Sequence, residues 1–114
     1  MATLYTRTFN FKDALSDREV LEQLQFLMEK ALPAIAQVPG VQSVKMYSGA
    51  GALRADLHLL ITMEDAAVYE RFLLDAEVRQ YLGQLYGAWD LKTAGQSFRR
   101  EVTPELIRAL SSTG

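Results

Sequence analysis

Between Leu53 and Met63 every odd-numbered residue is apolar, and four of the five residues between them are polar or charged. Strict alternation over this length describes a strand with one face in a core and the other face elsewhere. The second face carries Arg54, Asp56, His58, Leu60 and Thr62, a mixture too polar for a second dry core. Upstream, residues 41–47 read as another strand, joined to the ladder through Ser48-Gly49-Ala50-Gly51-Ala52. Pairing Tyr47 with Leu53 would bury Lys45, whereas pairing Met46 with Leu53 puts Val44 and Met46 on the apolar side. A one-residue slip flips every side chain, so the second register is expected, with a loop over Gly49 to Ala52. Ser43, Lys45 and Tyr47 then share a face with Arg54, Asp56 and His58.

The apolar side of this hairpin needs a cover, and the flanking segments supply it. Ser16 and Glu19 have the spacing of a capping box. Behind them Val20, Leu21, Leu24, Leu27, Met28, Ala31, Leu32 and Ile35 recur at helical spacing. Pro33 predicts a kink or an early end, and Pro39-Gly40 closes the segment. After Met63, Ala66, Ala67, Tyr69, Phe72 and Leu73 suggest one helical face. Asp75-Ala76-Glu77 then looks like a fresh N-terminus, continued by Val78, Tyr81, Leu82 and Leu85, so two short helices or one broken at Asp75 are expected. Residues 3–12, rich in β-branched and aromatic types, read as a first strand. Its faces, Leu4/Thr6/Thr8/Asn10 and Tyr5/Arg7/Phe9/Phe11, are both mixed. Leu91 to Val102 reads as a last strand bent at Gly95. Thr103-Pro104-Glu105 starts a short helix over about 103–111. The order β-α-β-β-α-β gives an α+β, ferredoxin-like domain: a four-stranded antiparallel sheet with both helices on one face and the other face uncovered. That bare face must meet water, a ligand or another chain.

Composition narrows the function classes. The 114 residues make one domain, 1–114, and there is no cysteine for a disulfide, a thiolate nucleophile or a Cys-based metal site. A net charge of −2 removes the electrostatic basis for nucleic-acid or anionic-membrane partners. The first residues enter strand-like alternation directly, so no signal peptide is expected. No apolar run approaches the roughly 18 residues of a membrane span. A cytoplasmic location is the default expectation.

The four-strand, two-helix order, Val38-Pro39-Gly40-Val41 between first helix and second strand, and Leu74-Asp75-Ala76-Glu77-Val78-Arg79-Gln80-Tyr81 at the broken second helix carry a resemblance. Residues 3 to 102 resemble the dimeric α/β-barrel superfamily, which includes stress-responsive barrel proteins and cofactor-independent, antibiotic-type monooxygenases. The resemblance implies a homodimer with two sheets face to face, helices outside, and a cavity in the barrel or between sheet and helices. It implies no cofactor. Haem-degrading members use an Asn, a Trp and a His, with the Trp on a strand before a His on the second helix. Here His58 precedes Trp89 and the second helical region holds no His, so Asn10, His58 and Trp89 do not reproduce that set.

His58, the only histidine, has the chemistry of a general base. It equally suits a hydrogen bond to Asp56, Ser43 or a partner chain within a dimer interface. One histidine with scattered carboxylates is no metal ligand set, so no metal is expected. Arg7 with Tyr5, Phe9 and Phe11 suits a planar, anionic ligand through ring packing and one cation; the same residues suit a sheet-to-sheet interface. The turn Ser48-Gly49-Ala50-Gly51 has no basic residue and lies between strands, which fits a hairpin better than a phosphate cradle. Arg99-Arg100 reads as an exposed pair at a strand end. Leu-His-Leu-Leu-Ile on the third strand lacks the paired aromatics of an RNA-recognition module. Three functions stay open. One is a homodimer binding a small hydrophobic or aromatic ligand at Arg7, Phe9, Tyr47 and Asp56. Another is a cofactor-independent monooxygenase acting on a phenolic or polycyclic substrate, with His58 catalytic. The last is a structural dimer with no ligand site.

Overall fold

The computed structural model describes residues 2–49 and 57–113. In chain order the elements are β1 (Thr3–Phe9), α1 (Asp17–Phe26), a π-helical turn (Leu27–Ala31), α2 (Leu32–Ala36), β2 (Val41–Tyr47), β3 (Leu57–Met63), α3 (Val68–Leu74), α4 (Ala76–Tyr86), β4 (Gly95–Arg100) and α5 (Pro104–Thr113). The strands form one antiparallel sheet in the order β2-β3-β1-β4. The fold is α+β and ferredoxin-like, as the sequence pattern predicts. Among the described residues no helix is long and apolar enough to cross a membrane.

The period-two ladder decides which way the sheet faces. Leu57, Leu59, Ile61 and Met63 are all buried, while His58 between them is exposed. Cross-strand neighbours point to the same side. On β1, Tyr5 lies opposite Ile61 and Phe9 opposite Leu57, so both are drawn into the core beneath the helices. This settles the mixed β1 faces. Tyr5, Phe9 and Phe11 are buried in the chain's own core, not in a sheet-to-sheet interface. β1 also ends earlier than residue 12, with Phe11 forming an isolated bridge to Trp89.

The open face is correspondingly more polar than expected. By register it holds Leu4, Thr6 and Thr8 of β1, Ser43, Lys45 and Tyr47 of β2, His58, Leu60 and Thr62 of β3, and Ser97 and Arg99 of β4. Lys45 stays out of the core, yet Met46 pairs with Leu59 and not with Leu53. The Lys45 argument fixes only parity, because a slip by any even number of residues keeps every side chain on its face. The turn from Ala50 and the strand start at 53–56 lie outside the described residues.

Pro33 does not end the first helix. Three residues of α1 and its continuation, Val20, Leu27 and Ile35, are buried to within one per cent, so ending the segment early would strip the sheet of cover. The chain instead widens ahead of the proline, and the Leu32 N–H donates to the Leu27 carbonyl five residues back. A π turn of this kind relieves the crowding that a proline ring imposes on the preceding turn. The Ser16–Glu19 box is present in both directions at 3.1 Å. Asp75 caps α4 by accepting from the Val78 N–H at 3.0 Å, so the second region is two helices. Its buried residues in α3 are Val68 and Phe72, while Ala66, Ala67 and Leu73 are exposed. The last strand starts only at Gly95, because Asp90 turns the chain first: its carboxylate accepts from the Lys92 N–H at 3.1 Å and its carbonyl from the Thr93 N–H at 3.2 Å.

Gly40 joins α2 to β2 at φ +94°, and a Cβ there would stand 2.5 Å from Val68 Cγ2. Strained backbone and a clash with the core both oppose a side chain. Gly40→Ala is therefore expected to lower stability by about 1–3 kcal/mol, read as a shift in the urea midpoint at unchanged slope.

Candidate functional site

Arg7 is the one charged residue of β1, and parity sends it to the helix side between buried Tyr5 and Phe9. Across the ladder it faces Gln96. Its Nη1 donates to Gln96 Oε1 at 3.0 Å, and the same oxygen accepts the Tyr5 hydroxyl at 3.1 Å. The guanidinium carbon stands 5.5 Å from the Tyr86 ring centre and 5.8 Å from that of Trp89. At these distances ring quadrupoles stabilise a cation.

Trp89 is held on three sides. It stacks on Phe9 at 3.9 Å and 17°, and meets Tyr86 edge-on at 5.1 Å. Backbone bonds beside it tie Lys12 N–H to the Ala88 carbonyl at 2.9 Å and Asp90 N–H to the Asn10 carbonyl at 2.8 Å. Within this arrangement two buried donors have no acceptor, Arg7 Nε and Trp89 Nε1. An unmet buried donor costs about 1–3 kcal/mol. Both donors belong to the one cation–ring cluster. The Arg7–Gln96 bond is solvent-exposed, so an acceptor has access to the guanidinium.

A second group of rings adjoins Tyr5. Tyr69 and Phe98 each lie 5.0 Å from its ring centre, and 4.8 Å from each other. Burial of the phenol raises the Tyr5 pKa from 10.0 to about 12; the neighbouring Tyr69 adds to the rise and the Arg7 charge opposes it. Tyr5 is thus a neutral donor near neutrality, not a base.

The residues singled out in the sequence do not converge. Arg7 and Phe9 lie beneath the helices. Tyr47 and His58 are cross-strand partners on the open face, where Thr8 flanks His58 on its other side. The thickness of the sheet separates the two pairs, and Asp56 lies outside the described residues. Among the described residues no cluster of three or more His, Cys, Asp or Glu could hold a metal. Tyr86, Trp89 and Gln96 escape the sequence reading as partners of Arg7, and Tyr69 as a partner of Tyr5. The available signal was an arginine at the parity of Tyr5 and Phe9, which demands compensating groups from whatever covers that face. An apolar groove of about 250 Å³ also opens at the edge of the open face, lined by Ala2, Leu4, Thr62, Arg99, Arg100 and Glu101.

Because the folded state resists ionising Tyr5, its contribution to stability is complete below the unfolded value of 10.0 and is lost as pH rises through about 12. The loss is on the order of 2 kcal/mol. Tyr5→Phe should flatten the alkaline limb of a stability–pH curve between these values. An unchanged limb would show that the phenol ionises as easily folded as unfolded.

No family model matches the sequence, and comparison with curated proteins finds no similar sequence. Solved structures do match. SnoaB, a cofactor-independent oxygenase from Streptomyces nogalater, superposes with a TM-score of 0.70 at 12% identity, covering 90% of this chain and 97% of its own. A dimeric protein of unknown function and ferredoxin-like fold from Bacteroides fragilis gives 0.74 at 11% identity, covering 88% and 96%. An antibiotic biosynthesis monooxygenase gives 0.71 at 9% identity, covering 90% and 100%. The chain shares the ferredoxin-like fold of these dimeric and monooxygenase-type proteins.

Proposed function

We propose that two copies of this chain associate through the open sheet face and that each binds a small aromatic molecule with an acceptor oxygen beside Arg7. The dimeric neighbour from Bacteroides fragilis supports the association. The binding site is carried by one observation: Arg7 Nε and Trp89 Nε1 are buried donors without acceptors, framed by the Tyr86 and Trp89 rings. A phenolate, quinone or carboxylate oxygen supplies the acceptor, and its bond to the guanidinium is charge-assisted. The ligand's ring packs against the surrounding aromatic side chains. Tyr5 and Gln96 keep the guanidinium in place.

The test is thermal stabilisation by a panel of phenols, quinols and aromatic carboxylates. A binder at a hundredfold excess over its Kd stabilises by about 2.7 kcal/mol, several degrees in Tm. Arg7→Met should abolish the shift and His58→Ala should leave it intact. The reverse pattern would move the site to Tyr47 and His58 on the open face. No stabilisation by any compound would favour a structural dimer.

A second reading draws on the likeness to SnoaB. With an anthrone-type substrate, loss of a methylene proton places negative charge on the ring-carbonyl oxygen, where the Arg7 and Trp89 N–H groups would hold it. Dioxygen then oxidises the carbanion, one oxygen atom entering the quinone and the other leaving as water. His58 is across the sheet from Arg7 in its own chain, so a base role for it requires a substrate bound in the barrel. Oxygen uptake equal to quinone formed, lost in Arg7→Met, would support this reading; loss in His58→Ala alone would support the barrel site. Binding without oxygen uptake would leave a binding protein.

A further inference from the structure

The group that faces Arg7 across the β1–β4 ladder is an amide where a carboxylate would fit. Cross-strand neighbours of opposite charge stabilise a sheet, and glutamate has the length and branching of the Gln96 side chain. The chain places Gln96 there instead. A guanidinium has only donors, so the atom turned towards Arg7 is necessarily the amide oxygen. That oxygen accepts from Arg7 Nη1 and from the Tyr5 hydroxyl together. Tyr5 itself is held neutral, its phenol pushed up to about 12 by burial. The Tyr86 and Trp89 rings lower the energy of a cation without cancelling its charge. Among the described residues no carboxylate forms an ion pair with Arg7; the pairs Arg18–Glu22 and Arg108–Glu105 each lie within a single helix.

We propose that Gln96 sets the charge selectivity of the Arg7 site. By holding the guanidinium with a neutral oxygen it leaves the positive charge uncompensated, so the site takes aromatic monoanions, carboxylates above all, in preference to neutral carbonyl compounds. The inference rests on the binding reading given above and narrows it from any acceptor oxygen to a charged one. A partly buried cation without a counter-ion is less stable than a paired one. Any acceptor oxygen can bond to the two free N–H groups, but an anionic oxygen adds charge attraction to those bonds. Aromatic carboxylic acids are ionised near neutrality and bring that charge with them. Glutamate at position 96 would occupy the same place beside Arg7 and supply the charge from within the chain. A ligand carboxylate would then meet a like charge and lose its advantage. Gln96 is exposed on the edge strand β4, so its charge can be changed without disturbing the core.

The test compares isosteric pairs, benzoate with benzamide and naphthoate with naphthamide, by titration calorimetry at neutral pH on the chain and its variants. Each pair offers the same ring and an acceptor oxygen and differs in charge. The carboxylate is expected to bind at least about tenfold tighter than its amide. Gln96→Glu should weaken the carboxylate at least about tenfold and leave the amide within about threefold, so that the preference disappears. Gln96→Met removes the oxygen and adds no charge; it should weaken both members of a pair and keep their ratio. A merely structural role for Gln96 would keep the ratio in both variants. Equal affinities in the wild-type chain overturn the inference, as does a carboxylate preference that survives Gln96→Glu. Either result leaves the binding site beside Arg7 standing where Arg7→Met abolishes binding. A neutral quinol that binds where no carboxylate does overturns the selectivity alone. No binding by any compound, or binding indifferent to Arg7→Met, overturns the site and the selectivity with it.

Discussion

A positive charge lies beneath the helix layer because strand parity leaves it nowhere else to go. Leu57, Leu59, Ile61 and Met63 must be buried together, and antiparallel pairing commits Tyr5, Arg7 and Phe9 to the same side. The helices that cover β3 therefore also cover Arg7. The surrounding groups are what a half-buried guanidinium requires: one amide oxygen from the adjoining strand, two ring faces, and a neutral phenol sharing that oxygen. Moving Arg7 to the open face would need a one-residue slip of β1, which would expose Phe9 and Tyr5.

What this environment omits is as informative as what it provides. Arg7 Nε and Trp89 Nε1 are buried without acceptors in a chain that satisfies its helix ends carefully, as at Ser16 and Asp75. Polar groups left unmet in an otherwise well-paired interior mark places where stability yields to binding or chemistry. Trp89 is also the more rigid of the two donors, stacked on Phe9 and fixed by the backbone bonds on either side. A rigid donor beside a solvent-accessible cation is the arrangement on which the proposed acceptor site rests.

Much of the fold was legible because it depends on periodicity and on local chemistry. The 57–63 ladder, the Ser16–Glu19 box, the restart at Asp75 and the Val44/Met46 face all follow from spacing alone. Failures came where the outcome depended on a distant partner. Both faces of β1 read as mixed until β3 is placed beside it. The Lys45 argument constrained parity and said nothing about which residue Met46 would meet. Pro33 is a local obstacle that the core contacts of Leu27 and Ile35 override, with a π turn absorbing the misfit. The grouping of Arg7 with Tyr47 and His58 split for the same reason, because the two lie on opposite sides of the sheet. Trp89 could be recognised as an aromatic residue in a turn, but its place over Phe9 depends on a bridge between residues far apart in sequence.

The chain has a single tryptophan, so one indole N–H resonance reports the central feature directly. In the free protein that proton should exchange slowly with water and show the upfield shift of an indole without an acceptor. It should move downfield, saturably, with any aromatic oxygen ligand that stabilises the fold. An indole proton already hydrogen-bonded in the free protein, or one that stays fixed while such a ligand binds, would contradict the account.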